Sequence, residues 1–298
     1  MKILVTGGAG FIGQHTVFEL AESGHEVSIF DKKPPSDWIP SGCRYFRGEL
    51  EDKSTLKEAV KNQDAIVHLG AMSRSGPSIQ DWRECLDTNI QGTSNLMEVA
   101  ADSGLKKIVY AASATFYGLQ PAPNRIGDSP DYLNFYSLSK SFGESLALQF
   151  DRHFGLEVTP LRYFSVYGPG QPSEGAYGLV IGIFLRNLAS GVRSVIFGDG
   201  TQRRDFIHVS DIARANRAAI ESDFHGAPLN VGSGVNFSIQ EVADLIGVEY
   251  DFVPERVGDA LETLADISET TKQLKWVPEV NFDQGIRELL QIQKISGK

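Results

Sequence analysis

Cysteine is scarce in this chain: Cys43 and Cys85 are its only two thiols in 298 residues. Two thiols build no disulfide framework, and their spacing matches no zinc motif, so cross-linked and metal-stapled folds drop out and no metal is expected. Positive charge is also in deficit. Lys and Arg number 28 against 38 Asp and Glu, a formal net charge of -10. That balance argues against nucleic acid or an anionic membrane surface as the partner. No apolar run approaches the ~18 residues that crossing a bilayer requires. The first such run is cut short by glycines and does not read as a secretion signal. A reducing cytoplasm is the expected setting.

What is present is ordinary globular composition, 41% apolar and 22% charged. Short apolar runs alternate with longer amphipathic stretches, the pattern of βαβ units. Strands are expected at residues 2–6, 26–30, 44–47, 65–69 and 107–111, and helices at 11–23, 93–103 and 136–154. The last helix carries Leu138, Phe142, Leu146 and Phe150 at spacings of four, one helical face. After about residue 165 the rhythm loosens into the Gly/Pro-rich "YGPGQPSEGAYG". A helix at 179–189, a strand "SVIFG" and helices at 208–221, 239–246 and 282–292 follow. The expected fold is α/β: a doubly wound parallel sheet over residues 1–165 and a smaller mixed α/β domain over 166–298. Part of 200–233 is expected to pack back on the first domain, with a crevice between the two.

Against this background four glycines crowd residues 7–13 of "TGGAGFIG", between the first strand and the first helix. Glycine there permits a tight turn and lets the backbone approach a ligand. The helix N-terminus offers unpaired N–H groups to a pyrophosphate. Asp31 ends the second strand, where a carboxylate accepts hydrogen bonds from ribose hydroxyls and repels a 2′-phosphate. The pattern points to a dinucleotide, NAD rather than NADP, although Lys32 and Lys33 follow directly.

Further along, "YSLSK" sets Tyr136 and Lys140 on one helix face. An ammonium near a phenol favours the phenolate and makes it a usable base. Ser113 and Thr115 in "AASATFYG" fall just past a strand, where a parallel sheet delivers side chains to its crevice. Tyr-x-x-x-Lys alone is a weak signal, and an exposed helix pair is its bland alternative.

Together, "TGGAGFIG", Asp31, "HLGA", "NIQGTSNL", Ser113, Tyr136-x-x-x-Lys140, "LRYFSVYGP", "GDGTQRRDFIHVSDIA" and "ADIS" resemble the extended short-chain dehydrogenase/reductases. Within them the chain is most similar to the NAD-dependent nucleotide-sugar epimerases and dehydratases, to about residue 290. The resemblance implies that Tyr136 takes the sugar hydroxyl proton, Lys140 supports the phenolate and Ser113 hydrogen-bonds the reacting oxygen. It lines the NAD site with Gly7, Gly10, Phe11, Ile12, Gly13 and Asp31. Glu49, Leu50, Leu69, Gly70, Ala71 and Asn89 complete that site with Tyr136 and Lys140. Substrate contacts fall on Thr115, Ser165, Val195, Phe197, Arg204, Arg256 and Thr263, the two arginines clamping a diphosphate.

The family's 4,6-dehydratases carry an Asp-Glu pair where this chain has Ala114-Thr115, and its decarboxylases often keep a Glu at the second position. The Ser-Ala-Thr triplet is that of the UDP-glucose 4-epimerase type. Epimerisation of a nucleotide hexose at C4 is therefore the expected reaction, with a 4-keto-sugar reductase or a non-catalytic dinucleotide-binding protein as alternatives. Three positions depart from the family: Ser165 for Asn, Glu49 for Asp and Gly70 for Ala. Thr263 replaces a bulkier Tyr, which implies room for an N-acetyl group. A homodimer through helices 92–102 and 136–153 is implied as well. His15 and His25 read as surface groups flanking the first helix, His208 as structural and Cys85 as a packed thiol.

Overall fold

The computed structural model describes residues 1–35, 40–73, 75–255 and 260–296, side chains of 294–296 excepted. The chain opens with β1 (Lys2–Thr6), α1 (Phe11–Glu22), β2 (Glu26–Asp31), β3 (Arg44–Arg47), α2 (Lys53–Val60) and β4 (Ala65–His68). It continues through α3 (Ser75–Gln80), α4 (Trp82–Leu86), a π-helical turn (Asp87–Gly92) and α5 (Thr93–Asp102). Next come β5 (Lys107–Ser113), a 3-10 turn (Ala114–Phe116), α6 (Phe135–Phe154), β6 (Glu157–Tyr163) and β7 (Ser165–Tyr167). Then follow α7 (Val180–Ser190), β8 (Ser194–Phe197), β9 (Arg203–His208), α8 (Val209–Glu221) and β10 (Leu229–Val231). The last elements are β11 (Asn236–Ser238), α9 (Ile239–Ile246), β12 (Tyr250–Val253), α10 (Ser268–Leu274) and α11 (Phe282–Ser296).

Among the described residues, seven strands form one sheet in the order β10-β6-β5-β4-β1-β2-β3, and every pairing in it is parallel. A parallel sheet covered on both faces needs strands that are apolar throughout, and β1, β4 and β5 supply them. Alternation then sends neighbours to opposite faces. Ile3 and Val5 enter one core with Val17 and Leu20 of α1 and Ile212 of α8. Leu4 enters the other with Leu56 of α2, Leu96 of α5 and Ala147 of α6. Strand order reverses between β1 and β4, so the loops that leave those two strands flank a crevice at the carboxyl edge.

The remaining strands form smaller sheets, β11-β9-β7 and β12-β8. They share a third core with α7, α9 and α11, built on Tyr167, Phe184, Ile196, Val242 and Ile286. The chain does not leave the large sheet once. After β7, α7, β8 and β9 it returns through α8, which packs on α1, to β10, which pairs with β6.

Candidate active site

The loop from β1 into α1 is shaped by what its glycines exclude. Gly7 has φ +68°, and a Cβ there would sit 2.7 Å from the Gly70 nitrogen. A Cβ on Gly13 would lie 2.0 Å from the Gly7 carbonyl oxygen. The loop thus closes onto its own helix and onto the segment after β4 only because neither position has a side chain. Gly10 is the N-cap of α1 and no side chain caps it, leaving the first-turn N–H groups without an intrahelical acceptor. Asp31, at the end of β2, accepts from the Ala9 nitrogen at 3.1 Å and from the Lys33 nitrogen at 3.0 Å. A carboxylate is thereby fixed beside a helix start that no side chain caps. These residues fit NAD: the cradle would take a pyrophosphate and Asp31 would accept from a ribose diol.

The other expected cofactor residues lie after β3, after β4 and in the π-helical turn. Leu50 is buried and touches the Cβ positions of both Gly70 and Gly92, while Glu49 beside it is exposed. Leu69, Gly70 and Ala71 leave the end of β4, half-buried. Asn89 sits in the π-helical turn and ties two segments together. Its side chain accepts from the Met72 nitrogen at 2.8 Å and donates to the Met72 oxygen at 3.0 Å and to the Ser139 hydroxyl at 2.9 Å.

Opposite the glycine loop, Ser113 ends β5 and caps the 3-10 turn. Its hydroxyl oxygen accepts from the Thr115 nitrogen at 3.2 Å and the Thr115 hydroxyl at 2.9 Å. Helix α6 packs against that turn and against β5. The helix starts sharply because Asn134 and Ser137 form a capping box, the Ser137 nitrogen donating to Asn134 at 2.9 Å. Tyr136 therefore stands in the first turn, half-buried, its nitrogen donating to Ser78 at 3.1 Å. Lys140 lies one turn on at 5% exposure, its Nζ 4.6 Å from the centre of the Tyr110 ring. Burial pulls this lysine down to about 7, against the opposing pull of Cys85 and Glu144. His68, wholly buried between Thr6 and Thr93, is held down to about 3 by desolvation and then by Lys140. It is a neutral ring.

The expected substrate residues divide between two sheets. Ser165 begins β7 in register with Phe206 of β9. Arg204 of β9 donates from Nη1 to the Arg203 oxygen at 2.9 Å and the Leu261 oxygen at 3.4 Å. Thr263 runs alongside, its nitrogen bonded to the Arg203 oxygen at 3.1 Å and its hydroxyl accepting from the Asp205 nitrogen at 3.3 Å. Val195 and Phe197 lie apart, on β8, with Val195 exposed. The Phe197 oxygen accepts from the Gln202 amide at 2.8 Å, which links β8 to the start of β9. Arg256 lies outside the described residues.

Two readings of histidine need correction. His15 lies within α1, half-buried, with Nε2 2.8 Å from the Pro169 oxygen. His25 follows α1 with its side chain only 10% exposed, 3.1 Å from Glu221. Both bind across elements that the sequence keeps far apart. Sequence reasoning also missed the buried polar groups under the site. Glu144 accepts from Arg162 at 2.6 and 2.9 Å, and Arg162 also donates to the Tyr117 hydroxyl at 2.9 Å and lies 3.6 Å over the Phe116 ring. Spacing held one clue, because Glu144 continues the four-residue step from Tyr136 through Lys140.

The family model "NAD dependent epimerase/dehydratase family" matches residues 3–232. A UDP-N-acetyl-alpha-D-glucosaminuronate decarboxylase of Bacillus cytotoxicus is 31% identical, over 97% of each chain. The solved structure of MoeE5 in complex with UDP-glucose and NAD superposes with a TM-score of 0.92, at 34% identity and full coverage of both chains. A UDP-glucose 4-epimerase of Thermotoga maritima, solved with UDP-glucose, has a TM-score of 0.94 at 29% identity, again over both whole chains.

Proposed function

Since the chain belongs to the NAD dependent epimerase/dehydratase family, we propose that it inverts C4 of a nucleotide-activated hexose, most simply a UDP-hexose, and ends each cycle with its NAD unchanged. One observation carries the choice of reaction. The turn against which α6 packs opens with Ser113-Ala114-Thr115, which holds two hydroxyls and no carboxylate. Removing water across the sugar ring calls for a positioned acid and base, and this turn supplies neither.

Bound NAD supplies a reversible two-electron acceptor for the carbinol carbon. The chain's own groups handle the proton and the oxygen. Tyr136, as the phenolate, accepts the C4 hydroxyl proton and later returns it to the same oxygen. Lys140 makes that phenolate accessible near neutrality by placing a positive charge within one helical turn. The Ser113 hydroxyl, oriented by Thr115, donates to the oxygen as it becomes a carbonyl. Ser165 and Arg204 stand on the paired strands β7 and β9 with Thr263 bonded alongside β9; we assign the three to the diphosphate and sugar, and Val195 and Phe197 to the base. The similarity to proteins solved with UDP-glucose supports this assignment.

The deciding experiment incubates the purified protein with UDP-glucose, UDP-galactose, their N-acetyl forms and the corresponding uronates. C4 inversion with no net change in cofactor supports the proposal. Carbon dioxide release from a uronate, or net consumption of reduced cofactor, would replace it with a decarboxylase or a reductase.

We assign a homodimer as well, on the outer face of α6. Leu138 and Phe142 are 41% and 47% exposed, and Phe135 stacks on Trp82 beside them with both rings partly open to solvent. Helix α5, by contrast, buries Leu96, Met97, Val99 and Ala100 within the subunit. Two unbridged cysteines are in keeping with a cytoplasmic setting, and among the described residues no helix is long and apolar enough to cross a membrane.

A further inference from the structure

Lys140 is almost fully buried, yet among the described residues no carboxylate lies within ion-pair distance of it. A buried ammonium without a partner is costly, and burial drives it toward the neutral amine. The groups that face it come from four elements: His68 on β4, Cys85 on α4, Tyr110 on β5, and Glu144 further along α6. His68 is neutral and Cys85 is a buried thiol whose burial favours the protonated form. Glu144 is tied to Arg162 by two hydrogen bonds. Besides the Tyr136 phenol one turn back, which Lys140 is assigned to support, what remains among the protein's side chains is the ring face of Tyr110.

That ring is built in. Tyr110 is 0% exposed, its hydroxyl donates to the Lys140 carbonyl at 3.3 Å, and the same hydroxyl fills the space that a Cβ on Gly143 would need, 2.2 Å away. It also lies 5.6 Å from the His68 ring. Burial, with Tyr136 and Glu144 adding to it, keeps the phenol protonated, so the face presented to Nζ is that of a neutral aromatic.

We infer that Tyr110 is a positioning residue for the proposed reaction: its ring carries the Lys140 ammonium without bringing a counter-charge to the site. The distinction matters chemically. A carboxylate in the same place would support Lys140 equally well, but its negative charge would oppose the Tyr136 phenolate that the lysine is there to favour. An aromatic face attracts the cation through its quadrupole and adds no net charge. Arg162 completes the arrangement by neutralising Glu144, the nearest anion on the same helix. The inference rests on the proposed roles of Tyr136 and Lys140, but its central claim concerns the lysine's charge and is measurable without turnover.

The test replaces Tyr110 with phenylalanine and then with phenylalanines bearing one, two and three ring fluorines, which drain the ring face while nearly preserving shape. The Lys140 amine is titrated by nitrogen-15 NMR on the full-length, NAD-loaded protein, its signal assigned from Lys140→Arg. Tyr110→Phe should titrate close to the parent. Across the fluorinated series Lys140 should titrate at progressively lower pH, by about half a unit or more in total. The acid limb of kcat/KM should move upward in parallel, as the phenolate loses support. A Lys140 titration that stays fixed across the series overturns the inference. A Lys140 that shifts in a protein turning over no nucleotide sugar upholds the ring's role and removes the proposed function.

Discussion

Arg162 and Glu144 form a doubly hydrogen-bonded ion pair, at 2.9 and 2.6 Å, with side chains only 4% and 6% exposed. The pair joins β6 to α6 directly below the turn that carries Ser113. Removing one member strands a buried charge, which costs about 3–5 kcal/mol. Arg162→Met should therefore lower the stability measured by chemical denaturation by that amount. The double variant Arg162→Met with Glu144→Leu should recover a large part of it. Equal losses in the single and double variants would show that packing rather than charge pairing is at stake.

Tyr136→Phe removes the phenol and little else. Positioned acid–base groups contribute about 10²–10⁴ in rate, so turnover should fall at least a hundredfold while NAD remains bound at parental stoichiometry. Cofactor content is read by absorbance after denaturation. A variant that keeps full activity would move the base to another residue.

Gly13→Ala asks for a methyl 2.0 Å from the Gly7 carbonyl oxygen. Backbone must move, and the cradle opens. The protein should purify with little or no NAD. Gly127→Ala, where nothing lies within 4 Å of the added carbon, should retain it fully.

Three histidines set an acid-side limit on stability. His68 is held at about 3, His208 at about 4, and His15 below its usual value, in each case chiefly by burial. Their unfolded forms take up protons below about 6.5, and the folded forms do not. Stability is thus intact above that value and lost as pH falls toward the folded-state values. The slope is at most about 1.4 kcal/mol per pH unit for each histidine. Unfolding midpoints recorded from pH 7 to 4.5 should show the decline, and His68→Asn should make it shallower.

Phe142→Glu places a carboxylate on the exposed face of α6 and should convert the proposed dimer into a monomer in light scattering, the parent running as a dimer. The fold should survive, since Phe142 is 47% exposed in the single chain. A mass unchanged from the parent would move the interface elsewhere.

Much of the first sheet is legible in the residues themselves, because β1, β2, β4 and β5 are apolar runs between turn signals. β6 is harder to see. Its stretch EVTPLRY holds Pro160, which lacks an N–H to donate, and Arg162, which is buried only because Glu144 receives it. Short strands such as β7, β10 and β11, of three residues each, carry too few side chains for any period to emerge. At the site, Tyr136, Lys140 and the glycine loop announce themselves through local spacing. Asn89 with Ser139, and Arg162 with Glu144, meet only after the chain has folded, so no spacing rule links them. Leu138 and Phe142 show the opposite limit. Their helical period is plain, but a period cannot say whether its face turns inward or outward.

The return of α8 and β10 to the first sheet limits how this molecule can be cut or recombined. A fragment ending at residue 165 would lack the strand that pairs with β6 and the helix that covers α1. It would expose a bare strand edge and an apolar helix face, which invites association with other chains. The carboxyl-terminal half therefore cannot be exchanged as a cassette at that point. A chimera that exchanges the smaller sheets has to keep residues 209–231 with their own amino-terminal partner, and graft only the segments on either side.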